Sequence, residues 1–132
     1  MSSRILIADD NPADIEVLTL AFEDLGLKPD LIIAKDGGEA LTLLEREHPV
    51  LALVDIKMPK VDGFDVLQAI RATPRLQNVP VIIMSSSVAD QDRQRALDLG
   101  AMRYWVKPAL FAETVALVKT LPDLVPALRP GD

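Results

Sequence analysis

Five short apolar runs punctuate the chain: Ile5–Ala8, Leu31–Ala34, Val50–Val54, Val81–Met84 and Tyr104–Val106. Each is apolar at nearly every position instead of alternating. That is the pattern of strands buried on both faces of a parallel sheet. Such runs also fit buried helix, so the segments between them decide. The first opens Asn11-Pro12-Ala13-Asp14: a capping side chain, a proline suited to the first helical position, and an acid that favours the positive helix start. Ile15, Leu18, Phe22 and Leu25 follow at helical spacing, with Gly26 as a stop. The second opens Asp36-Gly37-Gly38-Glu39 and continues through Ala40, Leu43 and Leu44. The third opens Asp62-Gly63-Phe64-Asp65 and runs to Thr73, where Pro74 halts it. The fourth opens Ser87-Val88-Ala89-Asp90, a capping-box-like start, and ends at Gly100. The fifth follows Pro108 and carries Phe111, Val115, Val118 and Leu121 on its apolar face. Strands alternating with helices imply right-handed crossovers, hence an α/β fold of three layers with helices on both faces of a parallel sheet. Residues 1–121 read as this domain. Residues 122–132 read as a Pro-rich extension that keeps branched apolar residues, either packed or an exposed arm.

Composition narrows the function. The 132 residues are 49% hydrophobic and only 4% aromatic, so the core is aliphatic. Fourteen basic and 20 acidic residues leave a net charge of −6, which argues against a partner with a phosphate backbone. With no cysteine and one histidine, His48, disulfides, thiolate chemistry and multi-His metal centres are excluded. No apolar run approaches the ~20 residues of a membrane-spanning helix. The N-terminus has no signal-peptide pattern, so the expectation is a cytoplasmic protein with no membrane partner.

In open parallel sheets, ligands bind beyond the carboxyl ends of the strands. Asp9 and Asp10 follow the first run, Asp55 ends the third, Ser85, Ser86 and Ser87 follow the fourth, and Lys107 and Pro108 follow the fifth. Close carboxylates repel and call for a cation, and all-oxygen donors select a hard ion such as Mg²⁺. A carboxylate left over can attack a phosphoryl group to give an aspartyl-phosphate. Lys107 and the metal would neutralise the developing charge. Asp14, Asp62 and Asp65 read as helix-start charges, and His48 as a surface residue at a helix end. Tyr104 and Trp105 are adjacent, so in a strand they face opposite sides of the sheet.

These residues carry a resemblance. Ile5-Leu6-Ile7-Ala8-Asp9-Asp10-Asn11, Leu53-Val54-Asp55-Ile56-Lys57-Met58-Pro59 with Asp62-Gly63, Val81–Ser85 and Lys107-Pro108 together resemble the receiver domain of bacterial two-component response regulators, over about residues 4 to 120. The resemblance implies a flavodoxin-like (βα)5 fold with strand order 2-1-3-4-5. It implies Asp55 as phosphoacceptor and Mg²⁺ (or Mn²⁺) held by Asp10, Asp9, Asp55 and the backbone carbonyl of Lys57. It implies Ser85 as switch hydroxyl, Tyr104 as switch aromatic, and Lys107 as the partner of Asp55 and its phosphoryl group, placed by a cis bond before Pro108. Lys57 and Ser87 take positions that tune self-dephosphorylation. The opening Asp-Asp-Asn-Pro-Ala-Asp and the Ser85-Ser86-Ser87 run are similar to the stand-alone regulators that partner phytochrome-type histidine kinases.

The expected protein is therefore a phosphorylation switch charged by a sensor histidine kinase. It would catalyse its own phosphorylation and dephosphorylation without being an enzyme toward separate substrates. Having no DNA-binding output, it would signal through its helix-four, strand-five, helix-five face to a downstream protein or phosphotransfer partner, and form a homodimer there. Three rivals remain. A phosphohydrolase using an aspartyl-phosphate needs a second acid two residues past the nucleophile, where Lys57 stands. A flavin binder needs a phosphate loop where Asp9 and Asp10 would repel phosphate. A pseudo-receiver would not need the full acid set.

Overall fold

A parallel strand pair needs a crossover, and each apolar run here is followed by a helix that supplies one. The computed structural model describes residues 3–129. Along the chain run β1 (Arg4–Ala8), α1 (Pro12–Asp24), β2 (Asp30–Ala34), α2 (Gly37–Glu47), β3 (Leu51–Asp55), α3 (Gly63–Ala72), β4 (Val81–Ser85), α4 (Asp90–Asp98), β5 (Arg103–Val106), α5 (Phe111–Lys119) and α6 (Leu121–Leu124), then a 3₁₀ turn over Pro126–Leu128. The strands form one sheet in the order β2-β1-β3-β4-β5, with every pairing parallel. This is the flavodoxin-like arrangement that the receiver-domain resemblance implies. The register sets Ile5 between Leu31 and Leu51, and Ile83 opposite Tyr104. β3 and β4 are buried at every residue, whereas the edge strands β2 and β5 keep exposed positions.

Strand side chains alternate, and the two faces gather separate cores. Leu6, Ala52, Val54, Ile83 and Tyr104 pack with Leu44 of α2, Phe64, Leu67 and Ile70 of α3, and Ala96 of α4. Ile5, Ile7, Leu53, Ile82 and Trp105 pack with Leu18 and Phe22 of α1, Val118 of α5 and Leu121 of α6. Tyr104 and Trp105 thus take opposite faces. Each fully buried aliphatic or Phe side chain contributes about 1.5–3 kcal/mol.

Local signals start three helices as expected. Asn11, Asp36 and Asp62 accept the backbone N–H groups of Ala13, Glu39 and Asp65 at 2.9, 2.8 and 2.9 Å. Two expectations are corrected. α4 begins at Asp90, not near Ser87, and its cap residue Ala89 makes no side-chain hydrogen bond. The Ser87 hydroxyl instead accepts the Ala89 N–H at 3.2 Å, which closes a tight turn ahead of the helix. Phe111 does not join the core: it is the first residue of α5 and 43% exposed, and Thr114 and Val118 face inward. Of the two readings left open for the segment after residue 121, Val125 and Leu128 favour packing: both are buried with α1 and α5 neighbours, and the Ser3 hydroxyl donates to the Ala127 carbonyl at 2.8 Å. The described part of the extension, to Arg129, is packed.

At the amino ends of the strands, away from the acids, Arg71 of α3 donates to the carbonyls of Gln77, Val79 and Gly100 at 2.9, 2.8 and 2.7 Å. It ties α3 to the approaches to β4 and β5. At the other end, Gly63 is indispensable as glycine. A Cβ there would collide with the Asp55 carbonyl, so the start of α3 rests directly on the backbone that carries Asp55.

Candidate functional site

The carboxyl ends of β1, β3, β4 and β5 bring their polar residues to one place. Asp9 extends β1, is fully buried, and accepts the Asn11 N–H at 2.9 Å. Asp55 closes β3 at 6% exposure and accepts the Lys57 N–H at 3.3 Å. Ser85 closes β4, also buried, and its hydroxyl accepts the Ser87 N–H at 3.0 Å. The Lys107 N–H donates to the Ser85 carbonyl at 2.8 Å, which carries the β5 backbone toward the same point. The Tyr104 hydroxyl donates to the Ser87 carbonyl at 2.9 Å and pins the loop after β4. Ser86 is exposed.

The centre of the site is the Lys107 ammonium. It donates to Asp9 Oδ2 at 3.2 Å, Asp55 Oδ2 at 2.9 Å and Asp14 Oδ2 at 2.6 Å. The resemblance implies a cis bond before Pro108, but no cis peptide occurs among the described residues. Trans is the commoner X–Pro form by about 0.5–1 kcal/mol, and the long lysine side chain reaches all three carboxylates from it.

Asp14 is the residue that sequence reasoning missed. Read along the chain it is a helix-start charge, which it also is. The available signal was its place: the third residue of a helix that leaves directly from the end of β1, so its carboxylate turns back over that end. Asp10, expected as a direct metal ligand, is exposed. The carboxylates whose oxygens lie within 4.8 Å of one another are Asp9, Asp14 and Asp55.

Three acids against one ammonium leave surplus negative charge. Burial pushes the Asp9 carboxyl up to about 6, and the Asp55 charge adds to that. The Asn11 N–H and Lys107 only partly offset it. For Lys107, burial alone would lower the pKa. The hydrogen bonds to Asp14 and Asp55 and the charges of Asp9 and Asp55 outweigh it, and the group lies above its ordinary value. Lys107 is thus a fixed positive charge, and Asp9 a carboxylate in want of a cation. The donors are all oxygen, and the sole histidine caps α2 in the left-handed region, exposed and ahead of the amino end of β3, at the other end of the sheet from these loops. The set fits a hard divalent ion.

A parallel sheet of this order, with buried acids at the ends of its first and third strands and a lysine at the fifth, defines the receiver class of α/β proteins. The sequence model of the response regulator receiver domain matches residues 5–119, and the chain belongs to that family. It is 36% identical over 115 residues to a 14.6 kDa protein from the sodA1 3' region of Leptolyngbya boryana, covering 87% of this chain and 86% of that one. Its fold superposes on the phosphorylated cyanobacterial phytochrome response regulator RcpA with a TM-score of 0.86, at 28% identity and 98% coverage of both chains. The Mn(2+)-bound form of response regulator Rcp1 gives a TM-score of 0.83 at 26% identity, covering 98% of this chain and 97% of that one. Among the described residues no helix is long and apolar enough to cross a membrane.

Proposed function

We propose that this protein is a phosphorylation switch in which Asp55 accepts a phosphoryl group from the phosphohistidine of a sensor histidine kinase. The observation that carries the reading is the Lys107 ammonium at 2.9 Å from Asp55 and 3.2 Å from the buried Asp9. An Asp55 carboxylate oxygen attacks phosphorus, the P–N bond breaks, and its electron pair returns to the imidazole. Water attack on phosphorus later breaks the new P–O bond, releases inorganic phosphate and restores the carboxylate. Asp9, Asp10, Asp55 and the Lys57 carbonyl would hold Mg²⁺, which when bound neutralises phosphoryl oxygens. The Mn(2+)-bound Rcp1 neighbour supports the choice of ion class. Lys107 holds a positive charge beside Asp55 Oδ2, and the Ser85 hydroxyl stands at the end of the adjacent strand. On this reading the protein catalyses its own phosphorylation and dephosphorylation and no separate substrate's.

The added charge of about −1.5 to −2 would draw Ser85 away from the Ser87 N–H. The loop pinned by Tyr104 then rearranges. Output passes through α4, β5 and α5, where Leu97, Val106 and Phe111 are exposed at 41%, 36% and 43%. This apolar surface suits a second copy of the chain, or a downstream protein or phosphotransfer partner. The cyanobacterial phytochrome response regulator RcpA among the fold's neighbours favours a phytochrome-type kinase as donor. A cytoplasmic location belongs to the same reading.

The test is incubation with Mg²⁺ and acetyl phosphate or beryllofluoride. Trp105 lines the cleft beside Lys107 and serves as the fluorescent reporter. The parent should respond and Asp55→Asn should not. An equal response from both overturns the assignment. Mass in solution with beryllofluoride should rise with concentration toward a dimer. A constant monomer mass removes that part.

A further inference from the structure

Resting on the phosphoswitch reading, we propose that Asp14 is a positioning residue: it holds the Lys107 ammonium against α1 in the unphosphorylated protein, in competition with the phosphoryl group on Asp55.

An ammonium has three N–H donors and no acceptor. Lys107 spends all three on carboxylates, and the shortest bond, 2.6 Å, goes to Asp14 rather than to Asp55 or Asp9. The lysine side chain is 16% exposed, so it is packed in this place and not swinging in solvent. Asp9 and Asp55 end strands, but Asp14 sits in the first turn of α1 and lines, with Lys107 and Trp105, the cleft between α1 and α5. The pull on the ammonium therefore comes from two sides, strand ends and helix.

Phosphorylation changes one side only. It adds to an Asp55 oxygen a group with three strong acceptors and more charge. For Lys107 to serve that group fully, its bond to Asp14 must lengthen or break. A contact made in the resting state and weakened in the phosphorylated one lowers the affinity for the phosphoryl group by its own differential worth. Asp14 thus sets how readily the lysine is captured, and joins α1 to the loop between β5 and α5 while the switch is off. A helix-start charge alone would not depend on Lys107.

The test has two arms, on the full chain and on Asp14→Asn, which keeps the size of the side chain and removes its charge. First, without Mg²⁺ or any phosphoryl analogue, the Lys107 ammonium is followed by ¹⁵N NMR. It should be shielded from exchange in the parent and lose that protection in Asp14→Asn. Second, beryllofluoride affinity is measured at saturating Mg²⁺. Asp14→Asn should bind about fivefold tighter than the parent, and the gain should vanish when Lys107→Met is the background for both. An unchanged ammonium signal, unchanged or weaker beryllofluoride binding, or an equal gain without Lys107 overturns the proposal. A parent that binds no beryllofluoride overturns the phosphoswitch reading itself, a failure seen before any variant is made.

Discussion

The two helical layers differ in how firmly they hold the sheet. On one, α1, α5, α6 and the final 3₁₀ turn bury Leu18, Ala21, Phe22, Val118, Leu121, Val125 and Leu128. On the other, α2 and α3 are anchored as well, but α4 contributes Ala96 as its buried residue and starts without a side-chain cap. Its approach carries Val88 at 80% exposure. The site is divided between the two. Asp14 and Lys107 belong to the firm layer, while Ser85, Ser87 and Tyr104 lead to α4. A group that must hold a fixed charge sits where movement is costly. The elements that must move sit where little packing is lost, as elements of switches do.

The largest expected effect breaks this comparison if it fails. Phe22→Ala removes a buried ring from the firm layer and should cost about 3–5 kcal/mol in urea unfolding. Leu97→Ala on α4 should change stability by no more than about 0.5 kcal/mol. Similar losses from both would show α4 to be as firmly held as α1.

The second effect concerns the cost of keeping Asp9 in the core. Its folded-state pKa is raised from 3.8 to about 6, so between these values the folded form binds more protons than the unfolded one. The stability it lends is complete below pH 3.8 and lost as pH rises through about 6. Without metal, Asp9→Asn should therefore be more stable than the parent at pH 7.5, by on the order of 2–3 kcal/mol. The difference should shrink toward pH 4. Adding Mg²⁺ should stabilise the parent and not the variant. Denaturation in chelator from pH 4 to 8, then with Mg²⁺, measures all three. A parent more stable than Asp9→Asn in chelator at pH 7.5 would mean that Lys107 repays the burial in full.

What was legible in the sequence follows the same division. The strand ends and the caps Asn11, Asp36 and Asp62 were readable because the partners of each cap lie two or three residues away. Lys107, Asp9 and Asp55 were readable because strand order brings run ends together. Ser87 was misread as the opening of α4 because its carbonyl is taken by Tyr104, 17 residues on. The second role of Asp14 was not legible because its local role at the start of α1 is sufficient in itself, and the lysine it meets is 93 residues away. Phe111 fitted the helical period but fell on the first turn of α5, where the helix has not yet reached the sheet. Prolines made the C-terminal segment look irregular, and only Val125 and Leu128 meeting the α1 and α5 core decided that it packs.

The smallest effect sharpens the account of α4. The Arg95 guanidinium lies 4.2 Å from the centre of the Phe64 ring and couples α4 to α3. At an exposed site such a contact contributes about 0.5–1 kcal/mol. Arg95→Ala should hardly move the global unfolding midpoint, because α4 adds little to the global barrier. It should speed amide exchange across Asp90–Asp98 by about threefold, with α1 and α5 unchanged. If beryllofluoride output depends on α4 moving, the same variant should reach its Trp105 response at slightly lower ligand concentration, since part of the resting state's hold on the helix is gone. Exchange accelerated equally in all helices would place Arg95 in the global fold instead, and would remove α4 as a separately moving element.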